Sequence, residues 1–190
     1  MRILSMDPGT ANYGVSISDM IVKDGELKVK VLGTQMLERP IKNPMSIKTE
    51  GRAFVSNIYH LEHLYGPFDL VCAERFQSRG LKGLSIESIN MMIGKLHDIY
   101  PNIVLYTAGT WKNAFNRVNK DCSLNDTYDM LKVLSKPKSP KIRHQVHELD
   151  CTLMAQYHVA KQFDLIPFAN LEGEARIISF LRHLDKSAKL

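Results

Sequence analysis

The apolar and polar positions of the chain fall into short alternating runs first and helical stripes afterwards. Ile3, Leu4 and Met6 form an apolar run that stops at Asp7, where Pro8-Gly9 supplies turn chemistry. Residues 14–18 (GVSIS) alternate and predict a second strand, and residues 26–37 (ELKVKVLGTQML) a third. Three strands on short links predict an antiparallel meander. Asn43-Pro44 then opens a helix over about 46–65, with Ile47, Phe54, Ile58, Leu61 and Tyr65 at helical spacing and Gly66-Pro67 as its stop.

Residues 68–74 (FDLVCAE) are almost continuously apolar, as in a strand covered on both faces, and they too end in a carboxylate, Glu74. A helix is predicted over 82–100 with Pro101 behind it, then a short strand over 103–106. A short helix follows with Thr110 as its cap. Residues 124–134 read as helix, and 135–144 as a basic loop with two prolines. The last strong helix spans 144–163, and 171–185 form an amphipathic tail helix. Strands, a crossover helix, more strand, then helices predict an α/β fold around a mixed sheet, with Asp7 and Glu74 ending neighbouring strands. Strand ends of such sheets are where ligands and metals bind.

One residue breaks the pattern of the 144–163 helix. Val146, Asp150, Leu153, Tyr157 and Ala160, joined by Leu149, make one stripe, so Asp150 falls among apolar neighbours. An unpaired buried carboxylate costs several kcal/mol. Either a metal ion or a Lys or Arg from another element must compensate it. His147 stands one turn earlier beside Asp150, whereas Glu148 points elsewhere. Asp7, Glu74, His147 and Asp150 thus form a candidate catalytic and metal-binding set. Hard oxygen ligands suit Mg²⁺, with Mn²⁺ able to substitute. Two such ions about 4 Å apart activate a water and stabilise the leaving oxygen in phosphodiester hydrolysis. His147 serves either as a ligand or in proton transfer.

Composition agrees with a single globular unit. The chain has 190 residues, 44% hydrophobic and 24% charged, with a formal net charge of +5 and a pI near 9.1. The basic excess permits a polyanionic partner. No apolar run reaches the roughly 18 residues of a membrane span, and no signal peptide is visible. Cys72, Cys122 and Cys151 lack metal-ligand spacing and fit a reducing, cytoplasmic setting.

The opening residues 3–10 (ILSMDPGT) with Gly14-Val15, then Glu74 at an apolar strand end, Trp111-Lys112 after the last strand, and His147-x-x-Asp150 on a late helix, resemble the RuvC family of Holliday junction resolvases. The resemblance covers roughly residues 1–163. It implies a ribonuclease H-like fold, a mixed five-stranded sheet flanked by helices. It also implies a homodimer that nicks four-way DNA junctions symmetrically with divalent metal. The nuclease domain is expected over 1–165, with a helical extension over 166–190. His147 occupies the family's third acidic position, which bears on metal preference. Phe76 follows Glu74 by two residues where bacterial members tend to place their aromatic three on. It either wedges into the junction or packs under the loop.

DNA contact is expected from Arg75, Phe76, Arg79, Lys112, Arg117, Lys138, Lys141 and Arg143, which fall in segments expected near the acids; Lys120, Lys132 and Lys136 share the same segments. The helix over 82–100 is apolar nearly all round, which suits either a dimer interface or a helix sandwiched within one domain. Three other readings compete: a kinase-like ATPase, a ribonuclease H-fold enzyme acting on RNA, and a non-catalytic junction-binding protein. The first needs a second glycine-rich phosphate loop, which this chain lacks.

Overall fold

A computed structural model describes residues 1–24, 26–37, 40–75, 83–112 and 142–163. Strands β1 (Arg2–Asp7), β2 (Gly14–Lys23) and β3 (Glu26–Met36) form the expected antiparallel meander, with β2 running five residues past its predicted end. Helix α1 (Ile47–Tyr65) follows a 3₁₀ turn at Pro44–Ser46, where the Asn43 side chain accepts from the Met45 N–H at 3.0 Å. Strand β4 (Leu70–Arg75), helix α2 (Leu84–Ile99), strand β5 (Val104–Thr107) and helix α3 (Ile142–Gln162) complete the described elements. The predicted helices over 124–134 and 171–185, and the extension over 166–190, lie outside the described residues.

The five strands order as β3-β2-β1-β4-β5, with β1, β4 and β5 parallel. Strand parity divides the core. Leu4, Met6, Val15, Ile17, Val71 and Ala73 face α1 and α2, together with Phe54, Ile58, Met92 and Leu96. Ile3, Met20, Cys72 and Trp111 face α3, with Leu149, Leu153 and Met154. Side chains two apart share a face. Asp7 therefore follows Ile3 and Ser5 toward α3, and Glu74 follows Cys72. Register places Met6 beside Ala73 in the parallel pair, so the next residues along are Asp7 and Glu74.

Helix α3 departs from its predicted amphipathic form. Every residue from Glu148 to Gln156 is buried, so no wet face exists along that stretch. The helix crosses β1, β2, β3 and β4 rather than lying along a surface groove. Small residues allow it to come close. Ser16 Oγ and Thr152 Oγ1 share a hydrogen bond of 2.7 Å across the interface, and Ser5 Oγ donates to the Ser16 carbonyl. A Cβ on Gly14 would lie 2.6 Å from the His147 carbonyl oxygen and 2.9 Å from His147 Cβ. Gly14 pairs with Asp7 in the sheet, so this contact also sets how near His147 comes to Asp7. Gly14→Ala is expected to push α3 outward and lower stability by about 1–3 kcal/mol, as overpacking does, read by chemical denaturation.

Candidate active site

The sheet edge where β1 and β4 end, the turn after β5 and the first half of α3 bring together all four predicted acids and imidazoles. His147 Nδ1 meets Asp7 Oδ2 at 2.5 Å. Lys112 Nζ donates to Asp150 Oδ2 at 2.7 Å, from a side chain 32% exposed to one only 4% exposed. Trp111 is fully buried and its indole N–H donates to Glu74 Oε2 at 3.1 Å. Lys112 Nζ also stands 4.9 Å from the centre of the Trp111 ring.

Residues 108–112 present Trp111 and Lys112 because they form a helical turn directly after β5. The Thr110 N–H is capped by Thr107 Oγ1, so Thr107 takes the role predicted for Thr110. The helix begins two residues earlier than Thr110, which leaves Thr110 inside it.

The charges are mutually felt. Burial, followed by the charge of Asp7, pushes the Glu74 carboxyl up to about 7, with Asp150 adding to the rise; Lys112 and the Trp111 N–H pull the other way. The hydrogen bond to Asp7 raises the His147 imidazole against the opposing effect of burial, and the charges of Asp7 and Asp150 reinforce it. Burial works to lower Lys112, but Asp150, Glu74 and Asp7 together hold it above its ordinary value. His147 and Lys112 therefore act as internal counter-ions to Asp7 and Asp150. Burial pushes the Cys72 thiol up to about 12, and burial with the neighbouring Asp7 and Asp150 charges raises Cys151 as well. These two thiols are unsuited to nucleophilic or metal chemistry.

A proton held by Glu74 sets a pH dependence of stability. A carboxyl raised from 4.5 to about 7 binds its proton more tightly folded than unfolded. Its effect is absent well below pH 4.5, and stability falls as pH climbs from there through about 7. Urea titrations without divalent ions should show this fall, and Glu74→Gln should flatten it.

Lys112, expected on DNA, forms an ion pair with Asp150 inside the site, so a Lys from another element meets that carboxylate. Arg75 is exposed at the end of β4, open to a partner. Phe76, Arg79, Arg117, Lys138 and Lys141 lie outside the described residues, and the side chain of Arg143 is likewise not described. Glu148, set aside at the sequence level, is fully buried. Sequence reasoning missed Trp111 as a hydrogen-bond donor, because a tryptophan after a strand reads as core.

The donor chemistry of Asp7, Glu74 and Asp150 suits a hard divalent cation: three carboxylates, with a Glu74 proton that burial and the other two charges favour. Among the described residues no three His, Cys, Asp or Glu side chains are arranged to enclose one ion as they stand. Lys112 and His147 each hold one carboxylate oxygen, Oδ2 of Asp150 and Oδ2 of Asp7.

The architecture and site define a ribonuclease H-like fold with an acidic centre at the end of its sheet. RuvC of T. thermophilus in complex with Holliday junction substrate is similar at a TM-score of 0.63 and 14% identity, over 85% of this chain and 96% of that one. The yeast mitochondrial Holliday junction resolvase Ydc2 is similar at 0.63 and 15% identity, over 89% and 82%. The fowlpox virus Holliday junction resolvase is similar at 0.51 and 13% identity, over 84% and 99%. No family model and no curated protein sequence matches the chain. Among the described residues no helix is long and apolar enough to cross a membrane.

Proposed function

We propose that this protein is a structure-selective endodeoxyribonuclease that resolves four-way DNA junctions by paired nicks, dependent on Mg²⁺ or Mn²⁺ and working as a homodimer. The observation that carries the reading is the meeting of Asp7, Glu74 and Asp150, from two parallel strands and the last described helix, in a fold shared with three Holliday junction resolvases. Asp7, Glu74 and Asp150 would hold the cations, with His147 beside them. The bound ions would supply water activation and charge neutralisation at the scissile phosphate.

The chain's own residues have definable tasks in that reaction. Trp111 fixes the Glu74 carboxylate through its N–H. Lys112, if a cation took its place at Asp150, would turn its charge to the phosphate. His147, held by Asp7 through Nδ1, keeps Nε2 to take or give a proton. Arg75 at the strand end offers a phosphate contact, joined by Phe76, Arg79, Arg117, Lys138, Lys141 and Arg143. On α2, Leu84 and Met91 remain 58% and 36% exposed while Ile89, Met92 and Leu96 are buried. The exposed pair gives a second copy an apolar foothold, and the buried set serves the domain's own core.

Labelled four-way, three-way and linear DNA, each incubated with Mg²⁺ and then Mn²⁺, test the reading by mapping nick positions. Symmetric nicks near the branch point of the four-way substrate are expected. Junctions bound but uncut with either ion would instead mark a binding protein whose carboxylates stay locked in their ion pairs.

A further inference from the structure

On the opposite face of the sheet from the acids, we propose a nucleotide-binding groove between α1 and α2, with the phosphate held by Lys48, Arg52 and Lys95 and the base stacked on Tyr59. The cavity there has a volume of about 580 Å³ and is lined by these four side chains with Ile47, Gly51, Val55 and Ser56. Lys48, Arg52, Val55 or Ser56, and Tyr59 follow one another at intervals of three and four along α1, so they form a single stripe on its surface. Lys95 faces them from α2.

The groove is cationic because its acidic neighbours are turned to other duties. Glu50 accepts from the backbone N–H groups of Lys42 and Asn43, and Glu62 accepts from Tyr100 Oη. Among the described residues, the one carboxylate paired with a lining cation is Asp98, 3.1 Å from Lys95 in an exposed i,i+3 pair. Such exposed pairs are weak and yield readily to a phosphate. The floor of Ile47 and Val55 is apolar, and Tyr59 is 55% exposed. A cationic rim, an apolar floor and an exposed aromatic make up the chemistry that takes a nucleotide, whether loose in solution or as one unit of a DNA strand.

The two sources are separated by using the full chain, in EDTA, with two probes: thymidine monophosphate and a single-stranded ten-residue oligothymidylate carrying 5-iodouracil. Photocrosslinking of the iodinated strand to Tyr59, with binding weakened about tenfold or more by Arg52→Glu and by Tyr59→Ala, is expected. Both positions are exposed, so the variants fold. Lys161→Glu on α3 should leave that crosslink unchanged. Capture of the monophosphate as well as the strand identifies a soluble nucleotide as an occupant, and capture of the strand alone identifies a DNA unit. Unchanged binding in both groove variants, or crosslinks confined to other residues, overturns the proposal. Because the readout needs neither metal nor cleavage, it stands or falls separately from the nuclease reading.

Discussion

Replacing Asp7 with asparagine should abolish junction cleavage while leaving junction binding within about twofold of the parent. Asp7 sits where β1 ends, beside Glu74 across the parallel pair and bonded to His147 from α3. An amide there is nearly isosteric but carries no charge, so the fold keeps its shape and, on the proposed function, the cation would lose a hard ligand. Losing several kcal/mol of transition-state stabilisation at tenfold per about 1.4 kcal/mol predicts a rate loss of roughly a thousandfold or more. Single-turnover cleavage of a labelled four-way junction, beside gel-shift binding in Ca²⁺ or EDTA, reads both quantities. Full-rate nicking by Asp7→Asn would move the active site elsewhere.

Lys112→Ala should show the largest stability effect. The Asp150 carboxylate is 4% exposed and has Lys112 as an ion-pair partner at 2.7 Å. Removing one partner of a buried pair leaves a charge in a poor solvent, at a cost of about 3–5 kcal/mol; Lys112's own partial exposure brings the expectation to about 2–3 kcal/mol. The same substitution removes the competitor for Asp150. A divalent ion that binds the folded state then stabilises the variant more than the parent. Urea denaturation with and without Mg²⁺ or Mn²⁺ measures the difference. Equal stabilisation of both proteins by the ions would mean that Lys112 does not compete for the cation site.

Much of this architecture was readable from the pattern alone, for physical reasons that differ by element. The strand over Phe68–Glu74 is apolar without alternation because its two faces are both covered, and β4 indeed has helices on each side. Asp7 and Glu74 could be matched as neighbours because both terminate apolar runs. Asp150 stood out because a charge in an apolar stripe demands a partner. Which partner was not legible: Lys112 lies 38 positions away in sequence, and only the turn after β5 brings it to α3. The role of Gly14 was equally hidden, since its meaning is the nearness of a helix more than a hundred residues later. The periodicity of α3 misled for a related reason. Glu148 reads as pointing away from the Asp150 stripe, yet it is buried, as are Thr152 and Gln156 one and two turns on. Hydropathy reports what a side chain tolerates, whereas burial follows from how many layers the chain lays over it.

That enclosure has a kinetic consequence. Backbone amides of residues 148–156 are sealed from water on every side of the helix, so deuterium can reach them only through openings that disrupt the sheet beneath. Asp150 lies within that stretch and His147 at its boundary, so the amide of Asp150 is expected among the slow-exchanging ones. Asp150 is thus expected to sit on backbone that opens rarely, whereas Arg75 stands exposed at the end of β4.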